Sequence, residues 1–300
     1  MVLKYHKGRN FGDALNPLIF NHYLPDFFDQ DKSTGFYGIG SILGFVDQHE
    51  TKKIIFSSGF AHGNVSTYGQ KPIIDETYDV ICVRGPLTAK LLELSPKVAV
   101  SDGALLLNEM VKPLREKKYF CSFIPHVGSL SFYSEWQSLL ESLNIHFIDP
   151  SNEPESVIHD IQASQFVIAE AMHGAIVADA LRVPWIPVKL YKTINDFKWK
   201  DYLQSVELPY SPTIIKGIYK KEALRNMFDQ KLKITRGVIN KGFAGSYKLY
   251  QDLTVKKKLY QSFKRIVSEQ NTFLSADAIM QARVGELKGK IEEVKRKYRV

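Results

Sequence analysis

The sequence predicts an α/β protein of two Rossmann-like domains facing a cleft, followed by a helical, basic C-terminal segment. Three observations predict it. Short apolar strand candidates alternate with helix-length stretches, the pattern of parallel βα units. A polar, charged run at 113–118 (PLREKK) divides that pattern in two. The expected divisions are therefore a first domain over 1–112, a linker over 113–118, a second domain over 119–245 and the basic segment over 246–300. Finally, the turns that follow strands carry the Gly, Asn, Asp, Arg and His residues, and would converge on the ligand-binding edges of the two sheets.

Composition bounds the function. The chain has 300 residues, 44% hydrophobic and 24% charged, and its mean hydropathy is −0.18. These are ordinary values for a soluble protein with a large core. Cys82 and Cys121 lie far apart, and no cysteine pair or His/Asp/Glu spacing suits a metal. Neither a metal nor a cofactor is expected. Unpaired thiols fit a reducing, cytoplasmic compartment, and the opening residues lack the apolar stretch of a secretion signal. No run of about 18 apolar residues is present to cross a membrane. A net charge of +8 and a pI near 9.2 favour an acidic partner. No nucleic-acid motif is present, so anionic small molecules or an anionic membrane surface are expected rather than nucleic acid.

Residues 2–5 are the first strand candidate, followed by a turn rich in Gly and Asn. Asp13 is placed to cap a helix over 14–23. Asn10 and Asp13 have two readings: turn and cap, or a face on the cleft. Residues 35–44 (GFYGIGSILG) miss the dinucleotide fingerprint by one residue and lack a clear strand before them, which argues against a nicotinamide site. They fit a loop opening a helix N-terminus, with Gly40 and Ser41 donating to an anion, or a plain glycine turn. Residues 53–57 are a strand with Ser58 and Gly59 in its loop. Residues 80–83 are the next, ending at Arg84-Gly85-Pro86, with Pro86 in the first turn of a helix over 87–94. Arg84 thus stands at the ligand edge, where it would hold a carboxylate or phosphate, or else makes a surface ion pair. A strand over 98–100 leads to Asp102, a helix cap or a contact to a substrate hydroxyl.

Past the linker, 119–124 is a strand with His126 just beyond it. A helix over 135–143, a strand over 145–148 and a helix over 157–163 come next. Residues 166–188 (FVIAEAMHGAIVADALRVPWIPV) read as strand, tight turn, helix and strand, with Pro184 stopping the helix. His173 and Gly174 therefore sit where a strand gives way to a helix, with free N–H groups offered to an anion. Residues 196–202 (DFKWKDY), which include Lys198, interleave rings and charges, either to meet sugar faces or as a half-buried helix. From about 249 the chain reads as helical and basic, a solvated face or one resting on an anionic membrane.

Taken in order, NFGDALNPLIF, GIGSIL, SSGF, VRGPLTAKLL, SDGALLL, FIPH and AEAMHGAIVADALRVPWIPV resemble the polysaccharide pyruvyltransferase family, most closely its exopolysaccharide-assembly branch. The resemblance covers about residues 3–205. It implies a GT-B-like fold. It also implies transfer of pyruvate from phosphoenolpyruvate onto two hydroxyls of a sugar or lipid-linked oligosaccharide, forming a cyclic ketal. By motif, His173 matches the family's x-x-H-G histidine and Arg84 its R-G arginine. Some members carry an arginine two residues before the histidine. Here that position is Ala171, so Lys7, Arg9 or Lys198 is expected to substitute.

The chemistry asks for an acid and a base near neutral pH, which histidine supplies. It also asks for a positive site, from Arg84 and the helix N-terminus at Gly174. The expected catalytic group is thus His173, Arg84 and Glu170, with Glu170 orienting His173, pairing with Arg84 or simply buried beside them. Asn10, Asp13, Gly40, Ser41, Ser58, Gly59, Asp102, His126, Gly174 and Lys198 are expected around the substrates. Two rival classes stand beside it: a nucleotide-sugar glycosyltransferase, which shares the expected fold although the E-x7-E pattern is lacking, and a non-catalytic glycan-binding or assembly protein. The expected location is the cytoplasm, at the inner face of the membrane if the basic segment docks there.

Overall fold

The structure is a computed structural model that describes residues 1–29, 31–61, 69–131, 133, 135–190, 194–218 and 247–298. Parts of the expected second domain and basic segment, 219–246 and 299–300, lie outside the described residues.

Two all-parallel sheets organise the chain. The first has the order β1-β2-β3-β4, from Val2–Lys4, Thr34–Tyr37, Lys52–Phe56 and Tyr78–Cys82. The second has the order β6-β5-β7-β8-β9. Here β5 is Tyr119–Ile124, β6 Ile145–Phe147, β7 Ser164–Ala169, β8 Trp185–Lys189 and β9 Thr213–Ile214. Parallel strands are covered on both faces, and β3 shows why its sequence is continuously apolar. Ile54 and Phe56 enter the main core, while Ile55 enters a smaller cluster with Tyr37 and Val83 on the opposite face.

Several elements differ from expectation. Helix α1 spans Phe11–Tyr23, and its cap is Asn10 rather than Asp13: Asn10 is extended and its side chain accepts from the Gly12 N–H at 3.2 Å. Pro17 lies inside α1 and cannot donate to the Asp13 carbonyl. The Asn16 amide does so instead, at 2.9 Å, and the buried side chain also exchanges hydrogen bonds with both backbone groups of Ile39. One residue thus repairs the helix and pins the loop after β2 to it. The glycine stretch does hold a strand, because Gly35 lies within β2. The loop beyond that strand forms only a short 3-10 turn, Leu43–Phe45, not a helix. Residues 98–100 are not a strand but a single bridge, Val83 to Ala99, after the 3-10 turn Pro96–Val98.

Helix α2 is Pro86–Leu91, with proline in its first turn. In the second half α3 is Trp136–Glu141, α4 Pro154–Gln162, α5 Met172–Ala180 and α6 Asp196–Ser205. Beyond His173, every residue of α5 is buried, so it needs no polar face. Among the described residues the C-terminal segment carries helical turns over 247–255 that run into α7 (Lys256–Glu269), and then α8 (Asp277–Tyr298), the two separated where Gln270 turns left-handed.

The halves share one apolar core. The Phe11 N–H donates to the Pro150 carbonyl at 2.9 Å, and Asn108 donates to the Ala180 carbonyl at 2.8 Å. Met280, Val284, Leu287, Ile291 and Val294 form the buried stripe of α8. Its lysines reach the first half, with Lys288 on Glu109 and Lys297 on Asp79, each at 2.7 Å. Lys290 and Lys295 pair within the helix.

Candidate functional site

The chain leaves β5 for β6 on one side and returns to β7 on the other, so strand order reverses between β5 and β7. Open α/β sheets bind ligands at such a point, outside the carboxyl ends of the strands. Those ends carry His126 and the turn Glu170 to His173. Facing them across a cleft of about 990 Å³ are the turn after β1 and the start of α1. The first half contributes Lys4, Tyr5, Lys7, Asn10, Asp13 and Ser41 to its walls. The second half contributes His126, Ala171, Met172, His173 and Lys198.

Glu170 and Ala171 N–H groups both donate to the Ile124 carbonyl, fixing the end of β7 against β5. Ala171 is extended, α5 starts at Met172, and His173 enters the cleft wall with 11% of its side chain exposed. Its Nε2 lies 3.7 Å from Asp102 Oδ2. Both atoms are buried and neither has a hydrogen-bond partner among the described residues. The other Asp102 oxygen accepts from the Ala104 N–H at 3.0 Å, capping the 3-10 turn Gly103–Leu106. On the Nδ1 side, the ring abuts Gly12, where any side chain would collide with the imidazole. Gly174 lies beneath against Ile124 and is not among the lining residues.

Arg84 is not a surface residue, and it does not line the cleft. It is fully buried, and so is its ion-pair partner Asp201, 3.0 Å away on α6. Its guanidinium also donates to the Ser41 hydroxyl at 2.7 Å and the Phe60 carbonyl at 3.1 Å. Asp201 also accepts from the Thr88 N–H and hydroxyl. Arg84 therefore touches the cleft wall through Ser41, and its carboxylate partner is Asp201, not Glu170. Gly59 makes room for the guanidinium, and Ser58 donates to the Tyr37 and Gly38 carbonyls. Both stand behind the cleft rather than in it. Gly40 turns with φ +124°, a conformation that favours glycine, and sets Ser41 at the wall.

Charge in the cleft comes from other residues. Lys198, in the first turn of α6, is half-buried. Burial, with the Arg84 guanidinium adding and Asp13 opposing, pushes its ammonium down to about 8. Lys7 is exposed at the rim, and Arg9 lies off the lining. Lys4 is already neutralised by buried Glu50 at 2.7 Å. Glu50 also accepts from the Tyr37 hydroxyl, which burial and this carboxylate hold well above the usual phenol range.

Glu170, fully buried, accepts from the His126 N–H at 2.9 Å, holding the loop after β5. The His126 ring caps its own short helical turn by accepting from the Gly128 N–H. Asn10 donates to Asp13 at 2.8 Å, so both are cap and cleft wall at once. Among the described residues no group of three or more His, Cys, Asp or Glu side chains is placed to hold a metal. Sequence reasoning missed Asp201 and Asn16. Asp201 left no local signal, but an asparagine just before a mid-helix proline could have pointed to Asn16.

A histidine at a strand-to-helix turn, at the reversal point of a parallel sheet and lining one cleft with a half-buried lysine, defines an α/β protein with a cleft between two halves. The family model for polysaccharide pyruvyl transferase matches residues 10–190, and the chain belongs to that family. It is 34% identical over 218 residues to succinoglycan biosynthesis protein ExoV of Rhizobium meliloti (strain 1021), a match covering 72% of this chain and 67% of that protein. Membership supports pyruvyl transfer to polysaccharide as the activity. The matched stretch takes in Arg84, Asp102, Glu170 and His173 and stops short of Lys198.

Proposed function

We propose that this chain moves pyruvate from phosphoenolpyruvate onto two hydroxyls of a sugar in a lipid-linked polysaccharide precursor, forming a cyclic ketal in a GT-B-like cleft without metal or cofactor. The observation that carries the reading is His173, facing a cleft whose cations include half-buried Lys198. Lys198 and Lys7 hold the carboxylate and phosphate, and Lys198 takes the place of the arginine lacking at Ala171. Protonation of the donor methylene gives an oxocarbenium centre at its neighbouring carbon. A sugar hydroxyl adds there and gives its proton to a base. The carbon–oxygen bond to phosphate breaks, phosphate leaves, and the second hydroxyl adds with loss of its proton to close the ring. His173 moves the protons. Asn10, Asp13 and His126 face the sugar.

The test is phosphate release from phosphoenolpyruvate with and without a panel of lipid-linked or synthetic sugars. Release that depends on acceptor and falls about 10²- to 10⁴-fold in His173→Ala is expected. Near-wild-type turnover in that variant refutes the role of His173. Calorimetric failure to bind phosphoenolpyruvate rejects the donor and favours a nucleotide-sugar transferase.

For the membrane, we propose contact at the inner face through α7 rather than α8, whose lysines are largely paired. No described helix is long and apolar enough to cross a membrane. Leu249, Leu253 and Tyr260 are exposed along one side of the α7 region, beside outward Lys257 and Lys264. Binding to anionic vesicles that weakens with salt and is lost in Lys257→Glu/Lys264→Glu is expected. Salt-insensitive or absent binding rejects the contact.

A further inference from the structure

Asp102 is explained only in part by its place at the start of a 3-10 turn. Capping uses one carboxylate oxygen, Oδ1, and serine, threonine or asparagine would serve equally. The cap leaves Oδ2 unexplained. It is buried, accepts no hydrogen bond among the described residues, and points at a second buried polar atom in the same condition, His173 Nε2. Leaving either atom dry and unpartnered is costly, and two such atoms facing each other at 3.7 Å are each other's nearest remedy. A small rotation of the imidazole brings them within the hydrogen-bond range of about 3.2 Å. Tyr202, the buried hydroxyl whose charge environment includes Asp102, is no competitor, because it donates to Asp179 at 3.1 Å.

Resting on the pyruvyl-transfer reading, we propose that Asp102 is the positioning residue of His173. Its Oδ2 accepts the Nε2 proton and fixes that tautomer. The lone pair of Nδ1 is then left on the α1 side of the ring, where Asn10 and Asp13 line the cleft. When the ring takes up a second proton during turnover, the same carboxylate balances its charge. The logic is that of a base oriented by a buried acid.

Asp102→Asn tests this with little change of shape. The cap requires the amide oxygen at Ala104, so the amide nitrogen, a donor, turns to the ring and displaces the proton to Nδ1. Nitrogen-15 NMR of the imidazole in the intact protein reads this directly. Nε2–H is expected in the wild type and Nδ1–H in Asp102→Asn. In steady-state assays kcat is expected to fall about 10²-fold with KM for phosphoenolpyruvate changed less than about threefold. Asp102→Ser, which keeps a capping oxygen, is expected to lose kcat likewise while melting within about 3 °C of the wild type. An unchanged tautomer in Asp102→Asn, or kcat within about threefold of wild type in both variants, overturns the proposal. The tautomer is read without turnover. A tautomer that changes from Nε2–H in the wild type to Nδ1–H in Asp102→Asn, in a protein that transfers no pyruvate, keeps the pair and discards the reading.

Discussion

A half-buried lysine that shares a cleft with a histidine carries a charge that depends on what fills the cleft. With its proton affinity held down to about 8, Lys198 is half-neutral near that pH while the cleft is empty. A bound phosphate and carboxylate favour the ammonium and return the proton. Donor affinity should therefore weaken as pH rises above about 8, by no more than tenfold per unit, and Lys198→Arg, charged throughout, should flatten the profile. Calorimetry with phosphoenolpyruvate between pH 7 and about 9.5 checks this; an equally flat wild-type profile removes Lys198 from the donor site. Stability moves the other way. Between about 8 and the ordinary lysine value the unfolded chain binds the proton that the folded chain gives up, so stability rises with pH across that window.

At this scale, what the sequence made legible was local. The placing of His173 follows from an apolar strand, a turn and an alanine-rich helix within one stretch. Arg84 stands at the strand-to-helix turn that the sequence predicts, but its burial on Asp201 was not legible, because Asp201 is distant in sequence and sits in a segment whose rings and charges fit several uses.

Elements explain where the site stands. Helix α1 starts at Phe11 because Asn10 is the better-placed cap, and it survives Pro17 because Asn16 occupies the orphaned carbonyl. That pattern was readable and went unread. Reading 98–100 as a strand failed because three β-branched or small residues make a bridge as readily as a strand when only one neighbour is in reach. Helix α6 is an element of the second half by sequence, yet it docks on α2 of the first half through Asp201, Arg84 and Thr88. Asp201→Ala should therefore cost about 3–5 kcal/mol, since it strands a buried guanidinium, and urea unfolding measures it. The double variant Arg84→Met/Asp201→Leu should recover much of that loss. A single-variant cost below about 1 kcal/mol means water reaches the pair.

At the scale of the molecule, two α/β halves each built on a sheet were legible, because βα alternation survives any error of a few residues at element ends; the order of strands within each sheet was not, since β2 hides in a glycine-rich stretch and pairing is set only in the fold. Nor was the return of the C-terminal helix. Its basic composition suggested a solvated face, but its 280, 284, 287, 291, 294 spacing is a seam, and that seam lies on the first half. Leu287→Ala, at a fully buried position, should cost about 2–5 kcal/mol and lower the denaturant midpoint of the whole protein. If only α8 detaches while the rest unfolds as before, the helix is an appendage. The close meeting of His173 with Gly12 and Asp102 carries a further consequence. The imidazole belongs to one half of the chain and both its neighbours to the other, so the reactive centre is owned by the joint. Recombining halves from two relatives at the 113–118 junction would hand each hybrid a histidine from one parent and its surroundings from the other. A hybrid keeps that centre intact only when residues 10–13 and 102 are also taken from the parent that supplies 171–174.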